Sequence, residues 1–331
     1  MAFRIAIAGA DRAFEAVPGE TVLAAATRAG VRLPHSCTLG NCGSCRVHLD
    51  EGTVAYDTPP FALSADESAQ GFALACQARP ASDLVIDVPT ADVPEPSRQA
   101  ALVTAVDPLA AGVTRVAVVL PELDPFVYLP GQHANLFLPD GTHRSFSMAS
   151  APSGNEADFH IRRIPGGRFT DAFLANLQPG DMLEIELPLG AFRFHAEDYR
   201  ELVFAATGTG IAPIKAMLEA LLDDPDCPPV SLYWGMRTAQ ELYLGETIAG
   251  WAGRLYEFRY VPVLSRPDAS WAGRRGHVQE AVLEDFPSLA EHSVYLCGSP
   301  TMIAQAKAAF AARGASPLHL YADGFSFQSG A

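Results

Sequence analysis

No run of this sequence is long and uncharged enough to cross a bilayer. The nearest approach, Leu202 to Ile214, has thirteen residues and is broken by glycines, against the roughly twenty that a spanning helix needs. Membrane insertion is therefore not expected. The first residues, Met1-Ala2-Phe3-Arg4-Ile5, alternate in polarity and lack a charged patch followed by an apolar run, so no secretory signal is read there and a cytoplasmic location is expected. Positive charge is also short, with 23 Lys plus Arg against 38 Asp plus Glu, a net −15. Such a surface repels phosphates, which excludes nucleic acid and anionic lipid as partners and leaves room for a basic protein. Internal repeats and low-complexity tracts are absent, and 331 residues at 49% hydrophobic content allow two or three compact domains.

Cysteine is scarce too, at six residues, yet four are concentrated to a purpose. Cys37, Cys42 and Cys45 stand at C-x4-C-x2-C spacing and Cys76 follows thirty residues on, the rhythm of plant-type 2Fe-2S ligation. Soft thiolates suit iron, and three ligands from one loop plus one from elsewhere suit a two-iron cluster. Gly40 and Gly43 are placed to let backbone N–H groups turn toward cluster sulfides. A structural zinc site is the competing reading, but it would show two short cysteine pairs or histidine partners, and only one x2 pair exists here. His35 precedes the loop as a Rieske-like ligand candidate, although four cysteines already fill the ligand count. Cys227 reads as a loop thiol.

A proline-rich polar stretch at 93–99 marks a linker, so the first domain should cover 1–92. Within it, short strand-like segments and an alanine-rich helix from Thr21 to Gly30 suggest a small mixed sheet with one packed helix. Strand patterns separated by turn residues over 100–197 suggest an antiparallel barrel. From 198 to 331 strands alternate with helical stretches, which implies a parallel α/β sheet. The stripe Ile211, Ile214, Leu218 and Leu221 reads as core packing.

Three motifs on this frame point to phosphates or a flavin. In Arg144-Ser145-Phe146-Ser147 a guanidinium can pair with a phosphate while Phe146 offers a stacking face. In Pro165-Gly166-Gly167-Arg168-Phe169-Thr170 the glycines precede a helix start, a natural anion site. In Ala206-Thr207-Gly208-Thr209-Gly210-Ile211-Ala212-Pro213 the glycines lie between a buried strand and a helix, although the third glycine of the common dinucleotide fingerprint is missing.

The order of these motifs resembles the reductase components of bacterial aromatic-ring-hydroxylating dioxygenases and related multicomponent monooxygenases, within the ferredoxin–NADP reductase superfamily. The naphthalene dioxygenase reductase type is the nearest resemblance, through His160-Ile161-Arg162-Arg163-Ile164-Pro165-Gly166-Gly167-Arg168, Tyr295-Leu296-Cys297-Gly298 and Tyr321-Ala322-Asp323-Gly324-Phe325. It implies a multidomain fold: an α+β, β-grasp-like ferredoxin domain, an antiparallel β-barrel for FAD, and an α/β parallel-sheet domain for NAD(P). Arg144 and Ser145 are then expected on flavin phosphate or ribityl groups, Phe146 against the flavin and Ser147 near its reactive nitrogen. Gly166, Gly167 and Thr170 are expected at the pyrophosphate, and His160 and Arg162 on the strand flanking the flavin. Thr207, Gly208, Thr209 and Gly210 would receive NAD(P)H, with Cys297 beside the nicotinamide and Phe325 as a carboxy-terminal aromatic near the flavin.

A nicotinamide gives two electrons at once and an iron-sulfur cluster takes one, so FAD is expected between them. NADH is the expected donor, because the stretch after the second strand of the last domain holds a single arginine, Arg237, beside the carboxylate of Glu241; Arg237 would tolerate NADPH. The expected electron acceptor is an oxygenase component or a separate ferredoxin. The alternatives are a reductase of sugar-nucleotide deoxygenation, with similar domain order, and a non-catalytic iron-sulfur sensor or carrier.

Overall fold

The structure, a computed structural model, describes residues 2–35, 38–41, 43–88 and 95–325. The chain divides into two compact units, Met1–Asp92 together with Ala322–Ala331, and Val93–Tyr321.

The first unit contains β1 (Phe3–Ile7), β2 (Ala13–Ala16), α1 (Val22–Arg28), β3 (Arg46–Glu51), β4 (Val54–Ala55), α2 (Ala65–Ala69), β5 (Phe72–Leu74), β6 (Arg79–Pro80) and β7 (Leu84–Asp87). Five of the strands form a mixed sheet in the order β2-β1-β7-β3-β5, and β4 pairs with β6. Among the described residues of this sheet only the β1–β7 contact is parallel. Thr21 caps α1, its hydroxyl accepting from Ala24 N; such caps contribute about 1 kcal/mol. The helix buries Val22, Leu23, Ala25 and Ala26, and its small alanines let it lie close to the sheet residues Ile5, Phe14 and Ile86 that share its core.

In the second unit β8 (Ser97–Ala110), β9 (Val113–Val119), β10 (His133–Phe137), β11 (His143–Ser147), β12 (Glu156–Arg162) and β13 (Met182–Leu189) form an antiparallel sheet, ordered β11-β10-β13-β8-β9-β12. A bridge between Met148, just past β11, and Phe159 of β12 joins the two ends into a barrel. Its interior is filled by Val103, Val116, Val118, Leu136, Phe159, Ile161, Leu183 and Ile185. Alternation along β12 sends Ala157, Phe159 and Ile161 into that core, leaving Asp158, His160 and Arg162 on the other face. The linker expected over 93–99 is shorter at its carboxy end. Ser97, Arg98 and Gln99 already pair with Leu187, Glu186 and Ile185 of β13, because ladder pairing outweighs a polar, proline-flanked composition.

The remaining elements are β14 (Glu201–Thr207), α3 (Ile211–Ala220), β15 (Val230–Met236), α4 (Gly245–Ala249), β16 (Arg259–Leu264), β17 (Arg274–Arg275), α5 (Val278–Asp285), β18 (His292–Gly298), α6 (Pro300–Ala311) and β19 (Leu320–Gly324). The sheet order is β17-β16-β15-β14-β18-β19, and the pairs from β17 through to β18 are parallel. Phe204, Tyr233, Trp234, Tyr295 and Phe310 are fully buried around it. Successive strands run outward from β14 on one side, and the chain returns to β18 on the other. The carboxyl ends of β14 and β18 therefore form the switch point where open α/β sheets bind ligands.

Candidate functional site

In the first unit, Cys45 immediately precedes β3 and Cys76 follows β5 by two residues. The antiparallel pairing of Arg46 with Leu74, and the bond from Ala75 N to Cys45 O (2.9 Å), bring the two cysteines together. Both are buried. The neighbouring loop is pinned by Gln77 Nε2 donating to Thr38 O (2.8 Å) and Ala62 N donating to Gly40 O (2.9 Å). Gly40 has φ +75° and a Cβ there would lie 2.9 Å from Pro60 Cβ, so only glycine takes this tight, left-handed path. Cys37 and Cys42 lie outside the described residues. The described half of the thiolate set fits a 2Fe-2S cluster: two buried soft ligands on adjoining strand ends, facing a glycine-turned loop. Leu39 and Phe61, both more than half exposed, lie in and next to this pinned loop region.

On the barrel, β11 carries the Arg-Ser-Phe-Ser motif. Arg144 is half-buried and, among the described residues, its guanidinium donates only to the adjacent His143 O (2.7 Å), which leaves most of its fork for an anion. Phe146 tilts against Phe169 with ring centroids 5.0 Å apart, and Ser147 is buried at the strand's end. The helix expected after Gly167 forms as one wide turn, Arg168–Phe173, followed by a 3-10 turn, Leu174–Asn176. Gly166 N donates to Asp171 Oδ2 (2.8 Å), and the Thr170 hydroxyl accepts from Ile164 N (3.0 Å). Thr170 thus braces the Gly-Gly turn from beneath, while the first N–H groups of the following turn have no partner inside it. Phe169 links the two motifs, and Arg168 pairs with Asp140 at the mouth of a cavity of about 590 Å³ lined also by Leu138, Phe173 and Asn176. A guanidinium, an aromatic face and an open helical turn side by side fit a flavin with its phosphates.

On the parallel sheet, Thr207 ends β14, Gly208–Gly210 make a 3-10 turn and α3 begins at Ile211, with Pro213 in its first turn. The turn lies directly on the end of β18. A Cβ on Gly210 would sit 2.4 Å from Cys297 O, and one on Gly298 2.3 Å from Thr207 Oγ1. Ser299 N donates to Thr207 Oγ1 (3.1 Å) and Trp234 Nε1 donates to Gly208 O (3.0 Å). The missing third glycine of the fingerprint is thus replaced by a turn clamped from both neighbouring strands. Cys297 is fully buried beneath it. Gly298 and Trp234 carry as much of this geometry as the glycines read from sequence; the sequence signal for them is the Tyr-Trp-Gly and Leu-Cys-Gly endings of two apolar strands. Phe325, half-buried, follows β19.

The face of β12 opposite the barrel core meets this sheet. The Arg162 guanidinium reaches the Gly208 turn, 3.4 Å from where a Cβ would stand, and has no ion-pair or hydrogen-bond partner among the described residues. The resemblance puts Arg162 on the strand flanking the flavin, and from that strand its guanidinium reaches the Gly208 turn. His160 Nδ1 and the Tyr243 hydroxyl are 3.3 Å apart. Lys215 of α3 donates to Ala149 O (2.8 Å) and pairs with Glu219 (2.7 Å). These contacts fix the Thr207–Gly210 turn and α3 against the barrel.

Burial pulls the His160 pKa down to about 4, a nearby Asp158 only partly offsetting it. The ring is therefore neutral at pH 7, and its 3.7 Å approach to Asp158 is not an ion pair there. For Asp158, burial opposes the charge, but the Lys215 ammonium, a hydrogen bond from Ser150 and the Arg115 guanidinium hold its carboxyl below the usual range.

Family comparisons agree with this geometry. Residues 5–81 match the 2Fe-2S iron-sulfur cluster binding domain, 101–194 the oxidoreductase FAD-binding domain and 204–308 the oxidoreductase NAD-binding domain. The chain belongs to the family of iron-sulfur flavoprotein reductase components. An aromatic O-demethylase reductase subunit of Amycolatopsis is 36% identical over 98% of this chain and 99% of that protein. The CDP-6-deoxy-L-threo-D-glycero-4-hexulose-3-dehydrase reductase of Yersinia pestis is 34% identical over 92% of this chain and 93% of its own length. Among solved structures, an Amycolatopsis cytochrome P450 reductase superposes with a TM-score of 0.74 at 35% identity, covering 99% of this chain and 100% of that one. The reductase is an NAD(P)H-dependent oxidoreductase with FAD and 2Fe-2S cofactors. No helix among its described residues is long and apolar enough to cross a membrane.

Proposed function

We propose that this reductase takes electrons from NADH and delivers them through FAD and the 2Fe-2S cluster to the oxygenase component of an aromatic-compound oxygenase system, directly or by way of a separate ferredoxin. The observation that supports the reading is that one chain carries all three cofactor-domain families, with the Thr207–Gly210 turn at the sheet's switch point and α3 fastened to the barrel by Lys215. When bound, the flavin divides the electron pair of a hydride into the single electrons that an iron-sulfur cluster carries.

The protein's part is positioning. Arg144 and the turn from Gly166 to Thr170 hold the flavin's phosphates, Ser145 contacts its ribityl chain, Phe146 packs on its ring, and Ser147 directs a hydroxyl at its reactive edge. The cavity beside Arg168 takes the adenosine half. Thr207 to Gly210 receive the dinucleotide pyrophosphate, where Arg162 supplies the cation that the glycine turn lacks. The Cys297 end of β18 limits how deep the nicotinamide sinks, and Phe325 shields the flavin until it arrives. His160, neutral and tied to Tyr243, keeps the two layers in register. Cys37, Cys42, Cys45 and Cys76 ligate the cluster.

The acceptor docks at the cluster face. The first 95 residues carry twelve Asp plus Glu against six Arg, and this −6 charge favours a basic partner whose approach it accelerates. A cytoplasmic location and the absence of nucleic-acid or membrane partners complete the reading. Rapid NADH-dependent reduction of cytochrome c and ferricyanide is expected. Electron delivery is then compared between an aromatic oxygenase and a CDP-hexulose dehydrase as acceptors. Exclusive coupling to the dehydrase would move the protein to deoxysugar formation, and no turnover by fully loaded protein would make it a carrier.

A further inference from the structure

Cys76 sits in the short connection, 75–78, that leaves β5 for β6. β5 is the last strand of the first unit's five-stranded sheet. Its inner side faces β3, where Ala75 N donates to Cys45 O (2.9 Å). Successive N–H groups of an antiparallel strand point to opposite sides, so Leu74 N faces the open edge. Leu74 is fully buried, and a buried N–H without a partner is costly. The Tyr56 hydroxyl supplies the partner, accepting from Leu74 N at 3.1 Å.

Tyr56 is brought there by the ladder between β4 and β6. Val54 pairs with Pro80 and Ala55 with Arg79, three residues past Cys76, so the chain reaches Tyr56 alongside the far end of the connection. Its ring packs against the core of the unit. Leu74 O accepts from Gln77 N (2.9 Å) and Ala78 N (2.8 Å), while Ala75 O and Ala78 O accept from Leu23 N (2.8 Å) and Val22 N (2.9 Å) at the start of α1. Those bonds run from backbone to backbone, whereas the bond at Leu74 depends on one phenol. The same hydroxyl feels both cysteines. Burial pushes the Tyr56 pKa up, the Leu74 N–H pulls it down, and the charges of Cys45 and Cys76 push it up again.

We infer that Tyr56 is a positioning residue for the 2Fe-2S cluster: its hydroxyl fixes the strand end that bears Cys76 and so sets the geometry and tightness of the fourth thiolate ligand. The inference rests on the proposed ligation by Cys45 and Cys76. Groups that hold metal ligands in place matter nearly as much as the ligands, and their removal costs about ten- to a hundred-fold in metal affinity or activity.

The test compares the wild-type holoenzyme with Tyr56→Phe, which keeps the ring that packs on the core and removes only the oxygen; circular dichroism and flavin content check its fold. Anaerobic transfer of iron to bathophenanthroline disulfonate, followed by loss of the cluster's absorbance, should be about ten-fold faster in the variant. The g values of the dithionite-reduced cluster's EPR signal should shift, because cluster properties follow the hydrogen bonding and exposure around the sulfurs. NADH–ferricyanide activity from the flavin should not change. Placing 3-fluorotyrosine at position 56 keeps ring and hydroxyl but weakens the oxygen as an acceptor, and should give a release rate between the two; it serves alone if Tyr56→Phe does not fold, and a rate equal to wild type then overturns the role. Iron release from Tyr56→Phe within about two-fold of wild type, or a superimposable EPR spectrum, also overturns it even where Tm falls, since a mere plug in the sheet edge would lower Tm alone. Wild-type protein that takes up no iron or sulfide would instead remove the ligand assignment, and this role with it.

Discussion

Gly210→Ala is a small change with a large expected consequence. The added methyl would stand 2.4 Å from Cys297 O, 2.6 Å from Cys297 C and 2.9 Å from Gly298 Cα, whereas ordinary contact starts at 3.4 Å. All three obstacles are backbone atoms at the end of a strand held by its ladder to β14, so none can rotate away. The turn must lift by about 1 Å. Overpacking of this kind costs about 1–3 kcal/mol of stability, a shift of a few degrees in Tm for a unit of this size. The larger effect falls on hydride transfer, because a 1 Å misplacement of reacting groups can cost about a hundred-fold in rate. Anaerobic stopped-flow should show flavin reduction by NADH slowed by about two orders of magnitude, while dithionite reduces flavin and cluster normally. Gly245→Ala is the matched comparison: its nearest neighbour is Leu242 Cβ at 3.8 Å, and alanine favours the helix it opens. That variant should reduce at the wild-type rate. A Gly210→Ala protein that is reduced as fast as wild type would refute the placement of the nicotinamide nucleotide on this turn.

Other perturbations separate the remaining steps. Cys76→Ser should abolish the cluster's visible and EPR signals and electron delivery to one-electron protein acceptors, yet leave NADH–ferricyanide activity from the flavin; retention of the cluster would contradict the ligand assignment. Acidification tests His160. Its folded pKa, near 4, lies below the unfolded value of about 6.5, so the unfolded chain binds the proton first. Stability is full above about pH 6.5 and declines as pH falls toward 4, by roughly 3 kcal/mol across the window. Chemical denaturation at stepped pH should show this, and His160→Gln should flatten the slope; an unchanged slope would remove the buried neutral imidazole as its cause. Phe61→Ala should slow acceptor reduction several-fold without changing flavin reduction, and added salt should slow acceptor reduction in wild type. Indifference to both would move docking away from the acidic cluster face.

The cluster motif and the glycine turn were legible because each is short and its chemistry depends on local spacing. Barrel and parallel sheet were legible from the change in hydrophobic rhythm near residue 200. The start of β8 was not, since Ser97–Gln99 look like linker until β13 supplies their hydrogen bonds. Thr170, which the resemblance puts at the pyrophosphate, also braces the Gly-Gly turn through its hydroxyl's bond to Ile164, a role no local pattern shows. Arg162 and Arg266 show the deeper limit. Arg162 comes to the Gly208 turn only through folding, by the outward face of a barrel strand, and Arg266 comes to Arg237 by parallel register between two strands. No local pattern encodes that proximity.

An anaerobic titration of the reconstituted holoenzyme with NADH, followed by visible absorbance and EPR, tests the relay most directly. The account predicts that flavin bleaching and the reduced-cluster signal develop together and are complete near one and a half equivalents of NADH, three electrons in all. A flavin fully reduced by NADH beside a cluster that stays oxidised, though dithionite can reduce it, would contradict the account.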